Sequence, residues 1–440
     1  MRYFLRNRYV MWLGKRLYTY FLDDIRQVLN ENPDITEINA LPIRRSELEP
    51  APPATPAKLR FNLMIPAVSE RHIFGGIATA LQFFEGFAGQ ADDLRIIATD
   101  EGVLRDGRMD MERFNGWTFV QADEPDQPGK TIVAVGRRKS SLPVRENDVF
   151  IATAWWSAHL AVDITQAQAA MYQKPKRPFI YLIQDYEPLF HPWSARYALA
   201  KQTYTDPSAY VPVFNSGLLR DYLVQQKLAK PDALYFDPML NDSLQKMAKR
   251  MGPQPRRRRI LVYGRPSVDR NAYPLLVRGL RRLAEQHDIS GWEFVSAGEP
   301  HASVNLGQGK RLIALGKLSL DDYAKELLQC HAGVSLMISP HPSYPPLEMA
   351  AYGMWTITNH YAGKDLSKWA ENIRSIDVAN ADALADTLAE VMGLFGQPAP
   401  QGVLDDAYAN YLAGHSDLTP LAEQAWAQVQ AQAQVQQGHG

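Results

Sequence analysis

Short apolar runs that end in polar turns recur along the chain, separated by stretches with helical spacing. Residues 60–65 form the first run. A loop with Gly75-Gly76 and a helical stretch over 77–87 follow. Runs at 94–99, 131–135, 149–153, 179–184, 210–215 and 234–236 repeat the pattern. Short strands alternating with helices predict a parallel sheet covered on both faces. Residues 253–259, with four consecutive arginines, interrupt the series and read as a solvated linker. A second series then predicts strands at 260–263, 293–297, 312–315, 334–338 and 355–359, with helices at 271–286, 319–329, 346–352 and 381–392. Ser319 and Asn380 suit helix N-caps. From Gln424 on the chain is Gln/Ala-rich and should fray beyond its helix.

The expected fold is α/β: two doubly wound Rossmann-like domains facing across a cleft, with an N-terminal helical extension. The expected boundaries are a basic aromatic extension and Pro-rich linker over 1–58, a first domain over 59–252, a second over 253–400, and a helical segment with its tail over 401–440. Within 1–45, Arg2, Arg6, Arg8, Lys15 and Arg16 alternate with Tyr3, Phe4, Tyr9, Trp12 and Tyr18, and no acid precedes Asp23. Such a helix can lie on an anionic membrane surface, or pack on the body of the protein or on a second subunit.

Composition narrows the function. Hydrophobic residues are 46% and charged residues 22%, which excludes a wholly disordered chain. Lys+Arg 47 against Asp+Glu 48 leaves a net charge of -1, so no global field favours nucleic acid. One cysteine excludes an internal disulfide framework and a Cys-rich zinc site. No run of 18 apolar residues and no signal-peptide pattern occur, so the expected location is the cytoplasm, with the inner face of the plasma membrane open to the extension.

Ligands of doubly wound sheets bind beyond the carboxyl ends of the strands, and candidate chemistry gathers there. Tyr263-Gly-Arg265-Pro-Ser-Val-Asp-Arg270-Asn follows the first strand of the second series. Arg265 and Arg270, five apart across a turn, could clamp a diphosphate through bidentate bonds, or be solvated loop arginines. Ser343-Tyr344-Pro-Pro-Leu-Glu348 opens a helix whose free amides and dipole favour an anion. Glu348 could accept from ribose hydroxyls, or merely complement that dipole. Gly75-Gly76 permits close backbone approach to a ligand. Trp155-Trp156 follows another strand, where aromatic faces can stack on sugar rings, although one of the two reads equally as core. Gln184-Asp185-Tyr186-Glu187 ends a very apolar strand. Asp185 or Glu187 could orient an acceptor hydroxyl, or pair with Arg196. Lys317, after Gly316, is either a phosphate contact or a surface lysine. Gly307-Gln-Gly309-Lys310 lacks the remaining residues of a P-loop and reads as a turn. The nearest approach to a metal-binding Asp-x-Asp is Asp110-Met-Glu112. No metal and no cofactor are therefore expected, the arginines supplying the charge.

These segments resemble the donor half of retaining two-domain glycosyltransferases, the GT-B type of family 4. Arg265 and Arg270 fall on that family's Arg/Lys pair, and Glu348 on the second Glu of its Glu-x7-Glu motif. Pro340 stands where the first Glu would be. The resemblance is more specific to WsaF-like rhamnosyltransferases, through Tyr263-Gly-Arg-Pro-Ser, Arg270-Asn-Ala, His341-Pro-Ser-Tyr-Pro-Pro-Leu-Glu348-Met-Ala and Tyr181-Leu-Ile-Gln-Asp-Tyr-Glu-Pro188. It implies transfer of L-rhamnose from dTDP-β-L-rhamnose, with retention, to a growing bacterial surface polysaccharide. The implied partners are a nucleotide-sugar donor and a glycan or lipid-linked glycan acceptor. Donor contacts fall to Gly75, Gly76, Tyr263, Arg265, Arg270, Lys317, Ser343, Tyr344 and Glu348, and acceptor contacts to Trp155, Trp156, Gln184 and Tyr186. Catalysis falls to Arg265, Arg270, Asp185 and Glu187. A nucleotide-sugar epimerase and a non-catalytic glycan- or nucleotide-binding pseudo-transferase remain open on the same architecture.

Overall fold

The computed structural model describes residues 41–48, 58–69, 73, 75–100, 113–136, 140–252, 254–414 and 416–438. The extension over 1–40 and the Asp110–Glu112 pair lie outside the described residues.

In the first half the strands are β1 (Ile43–Arg45), β2 (Arg60–Ile65), β3 (Asp93–Ala98), β4 (Thr118–Gln121), β5 (Lys130–Ala134), β6 (Leu142–Val144), β7 (Asp148–Ala152), β8 (Phe179–Ile183), β9 (Tyr210–Phe214) and β10 (Leu234–Tyr235). Eight of them form one parallel sheet in the order β10-β9-β8-β7-β2-β3-β5-β4, while β1 pairs separately with β6. Helices α1 (Gly76–Glu85), α2 (Trp155–Tyr172), α3 (Ala195–Gln202) and α4 (Gly217–Gln225) connect these strands. β2, β3, β7 and β8 are buried along their whole length, which is why they read as unbroken apolar runs.

Arg60 and Asn62 in β2, Asp93 and Arg95 in β3, and Asp148 in β7 are the polar exceptions. Arg60 is fully buried and donates to both oxygens of Asp148 (2.7 and 2.8 Å) and to Asp126 (2.6 Å). Arg145 completes the network through Asp126 and Asp93. Each buried charge is thus paired. The network lies toward the amino ends of the strands, away from the candidate site. Ser46, just after β1, donates to Asp126 there.

The second half holds β11 (Arg257–Gly264), β12 (Glu293–Gly298), β13 (Val304–Gly307), β14 (Lys310–Gly316), β15 (Cys330–Val334), β16 (Trp355–Asn359) and β17 (Ile373–Ile376). They form one sheet in the order β13-β14-β12-β11-β15-β16-β17, parallel except for the β13–β14 hairpin that carries the Gly307–Lys310 turn. Its helices are α5 (Asp242–Met251), α6 (Tyr273–Gln286), α7 (Leu320–Gln329), α8 (Tyr344–Ala351), α9 (Ala381–Gly393) and α10 (Asp406–Ala413). Ser319 and Asn380 accept the backbone N–H groups of Asp322 and Ala383 as N-caps.

Three local expectations change. The arginine run is not a solvated linker. Arg257–Arg259 open β11, Arg259 pairs with Glu293 and Glu326, and Arg256 donates to the carbonyls of Leu327, Cys330 and Tyr352. The strand expected at 334–338 is β15, which ends at Val334. Ser335 N–H still donates to Ile357 O of β16 (3.0 Å), and residues 336–338 then leave the sheet because Asn359 brackets the Met337 backbone and Ile338 N–H donates to Arg270 O (2.7 Å). The Gln/Ala-rich end from Gln424 on stays helical to Gly438. It belongs to α11 (Thr419–Gly438), whose Ala422, Ala425 and Val429 are buried in the core of the first sheet, with Trp426 edge-on to Phe61. Helix α5 precedes residue 253, yet buries Leu244 in the second core beside Tyr408 and Tyr411.

Candidate active site at the interdomain cleft

The carboxyl ends of the two sheets face one another, and polar contacts join them beside the apolar packing of Leu218 on the second core. Asp185, just past β8, accepts from Ser339 Oγ across the seam at 2.5 Å. It also accepts the Tyr186 N–H (2.8 Å) and lies 3.7 Å from Arg270 Nε. Tyr344 and Thr79 hydroxyls are 3.2 Å apart, and the rings of Tyr222 and Tyr361 are 6.4 Å apart.

On the second-domain side, Gly264 ends β11 so close to β12 that an added Cβ would lie 2.0 Å from Ser296 Oγ. Arg265 follows and donates to Glu299 (3.2 Å), which also holds the Ser267 N–H and hydroxyl. Arg270 lies over the Phe190 ring, 3.9 Å from its centroid. The two arginines are therefore braced by different carboxylates, one from each domain. They still share one neighbourhood: burial raises the Tyr263 phenol's pKa, Arg265 and Arg270 oppose the rise, and Glu348 adds to it.

Helix α8 begins with Ser343 at φ 72, a strained conformation for a residue with a side chain. His341 Nδ1 accepts the Ser343 N–H (3.0 Å) and Ser339 Oγ accepts the His341 N–H (3.0 Å), so side chains fix the turn. Burial drives the His341 pKa down to about 3, which keeps the ring neutral. With Nδ1 accepting, the proton sits on Nε2, which is buried and has no partner among the described residues. Lys364 is buried and donates to Met337 O (2.7 Å); burial lowers its pKa to about 7, against the pull of Asp185. Glu348 accepts from Tyr323 (2.9 Å), and burial pushes its pKa up to about 7.

On the first-domain side, Gly75 adopts φ 52 before α1, and an added Cβ on Gly76 would lie 3.0 Å from Gln184 Oε1. Trp155 is buried, edge-on to both Trp156 and His191. Its N–H donates to Glu187 Oε2, which Tyr181 also approaches (3.5 Å). Burial pushes the Glu187 pKa up to about 8 and raises that of Asp185 too. Neither carboxylate pairs with Arg196. Trp156 Nε1, Gln184 Oε1, Asn215 Oδ1, Ser216 Oγ and Arg270 Nε are buried without hydrogen-bond partners among the described residues. Native proteins rarely leave such groups unsatisfied. Their concentration at facing strand ends makes this seam the candidate ligand site.

Residues 60–217 match the family description "WsaF, N-terminal domain", and residues 258–389 match "WsaF, C-terminal domain". The chain belongs to the WsaF family. The O-antigen biosynthesis protein RfbC of Myxococcus xanthus is 31% identical over 214 residues, which is 48% of this chain but only 15% of that protein. Two solved structures share the GT-B fold at a TM-score of 0.51. An α,α-trehalose-phosphate synthase (UDP-forming) from Burkholderia vietnamiensis is 10% identical, covering 85% of this chain and 100% of that one. The N-terminal domain of a Candida albicans trehalose-6-phosphate phosphatase is 8% identical, covering 85% and 99%.

In this WsaF-family chain the structure brings Asp185, Arg270, Tyr344 and Tyr186 to the seam. Tyr263, Arg265 and Glu348 lie close by on the second-domain side. Glu187 is withdrawn beneath Trp155, and Lys317 is exposed past β14. Ser339 opens the candidate segment that leads to Ser343 and Glu348 but had no role assigned, and Lys364, Glu299 and Tyr323 were not anticipated. His341 and Ser339 stood in or beside the quoted motif, so position was the available signal. Lys364 carried none.

Proposed function

We propose that this protein is a retaining glycosyltransferase that moves L-rhamnose from dTDP-β-L-rhamnose onto a growing bacterial surface polysaccharide. One observation carries the reading: family membership across both halves coincides with a seam of unsatisfied buried polar groups beside two arginines. The name of the Myxococcus relative adds support for the polysaccharide.

In this reading the anomeric carbon–phosphate bond breaks and negative charge grows on the diphosphate. Arg265, Arg270 and the amides at the start of α8 stabilise that charge, with Lys317 as a further phosphate contact. Glu299 and Asp185 hold the guanidinium groups in place before the donor arrives, so little reorganisation is needed. Glu348, Ser343, Tyr263 and Tyr344 face the nucleotide sugar, with Gly75-Gly76 near the diphosphate. Trp156, Gln184 and Tyr186 face the acceptor. The departing phosphate oxygen takes the proton of the attacking hydroxyl, so no side-chain base is required. Asp185 acts by positioning Arg270 and Ser339, and Glu187 by holding the start of α2. Charge on the diphosphate is met by arginine without a metal ion.

The test is incubation of purified protein with dTDP-β-L-rhamnose, UDP-glucose or GDP-mannose and a rhamnosylated acceptor, with products read by NMR. The expected product is a β-linked rhamnoside from the dTDP donor alone, since retention keeps the donor's β configuration. Donor conversion without acceptor would instead indicate an epimerase. Nucleotide binding without transfer to any acceptor would indicate a pseudo-transferase.

A further inference from the structure

Trp193 is 91% exposed, and among the described residues it is the only tryptophan left exposed. A surface Trp on this scale is uncommon. It is also ordered against a neighbour. The Tyr197 ring stacks on it at 5.1 Å with 29° between the planes. Ser194 caps α3 by accepting the Tyr197 N–H (3.2 Å), which fixes the pair to the helix start. The result is a two-ring platform.

Its place follows from the chain. The short helical turn Glu187–Phe190 ends under Arg270, and Trp193 comes three residues later. Their Cα atoms are therefore at most about 11 Å apart. Between them lies His191, packed edge-on to Trp155. Burial and the charge of Arg196 lower its pKa, which keeps the ring neutral, and its buried Nε2 has no partner among the described residues. Arg270's contact, an imidazole nitrogen without a partner among the described residues and a stacked, exposed aromatic pair thus lie along one short stretch of chain that starts at the cleft.

We propose that Trp193 and Tyr197 form an outer acceptor subsite that holds the second or third sugar of a glycan chain, with His191 contacting a hydroxyl on the way. The apolar C–H face of a pyranose ring fits an aromatic face, while its rim of hydroxyls fits the imidazole. The subsite rests on the transferase reading above and adds a length preference to it.

The experiment uses the full chain and synthetic α-L-rhamnosyl acceptors of one, two and four residues. Trp193→Ala should raise the KM of the tetrasaccharide about tenfold. It should raise that of the monosaccharide far less and move the donor KM less than twofold, with Trp193→Phe restoring most of the loss. An equal KM at all lengths in Trp193→Ala would overturn the subsite. So would loss of sedimentation with phosphatidylglycerol–phosphatidylethanolamine vesicles while acceptor KM stays put, which would assign the platform to a membrane. Iodide quenching of tryptophan fluorescence supplies a readout without transfer. The tetrasaccharide should shield a quenchable fraction in the wild type that Trp193→Phe lacks. Shielding without transfer would retain the subsite and sink the transferase reading. Transfer without shielding would do the reverse.

Discussion

The carboxylate of Asp185, at the end of a first-domain strand, lies 3.7 Å from the guanidinium of Arg270 in the second domain and takes a 2.5 Å bond from Ser339 beside it. One side chain thus ties two segments of the opposite domain. Asp185→Asn keeps an acceptor for Ser339 and Tyr186 but removes the charge facing Arg270. We expect donor kcat/KM to fall about 30-fold, or ~2 kcal/mol. The pH profile separates positioning from simple structural damage. Burial raises the Asp185 pKa, so wild-type activity should climb with pH as that group ionises. The Asn variant should lack this acid limb.

Arg265 is held by Glu299, with Tyr263 beside it, and in the proposed reaction meets charge that develops on the leaving group. Arg265→Ala should lose about 3 kcal/mol of transition-state stabilisation, the range for removal of one preorganised donor. Steady-state kinetics with near-normal turnover would refute that role.

Transfer should persist in excess EDTA, because arginine side chains and helix amides supply the positive charge. A strict requirement for Mg²⁺ or Mn²⁺ would show that the diphosphate is neutralised in another way.

Glu187 gives a stability test with a definite sign. Its folded pKa is raised to about 8 by burial, from an ordinary value near 4.5. Between those values the unfolded chain has released the proton and the folded chain has not, so folding is progressively disfavoured as pH rises through this window. Glu187→Gln keeps an oxygen for the Trp155 N–H and removes the titration. The Tm of the variant should therefore gain on wild type from pH 5 to pH 8. A pH-independent difference by calorimetry would mean that Glu187 is already ionised when folded.

Gly264→Ala should destabilise by about 1–3 kcal/mol through overpacking, since the new methyl would meet Ser296 Oγ at 2.0 Å. Adding Ser296→Ala removes that oxygen and should recover part of the loss in urea unfolding. No recovery would place the strain in the backbone instead.

Long apolar strands were legible because both faces are buried. β2 and β16 appear at the lengths their patterns predict, and β8 is one residue shorter. β1 and β6 escaped notice at three residues each, and β17 because Arg374 and Ser375 interrupt its apolar pattern. The arginine run was misread because charge alone suggests solvent, whereas Arg256 serves backbone carbonyls left by α7, β15 and α8. At the site, motif spacing pointed to Arg265, Arg270 and Glu348. The partners that hold them could not be read, since Ser339 stands 154 residues from Asp185 and meets it only through the fold.

The return of α11 to the first core has a mechanical consequence. Among the described residues the backbone passes between the domains twice, once between Met239 and Leu240 and once between Tyr411 and Leu418. Leu240 N–H donates to Tyr411 O at 3.0 Å, so the two passages run side by side. A body hung on two adjacent tethers can swing but is hindered from twisting or sliding. Any opening of the mouth is thereby steered toward a single rotation, which would bring Arg270 back to Asp185 in the same register after each cycle.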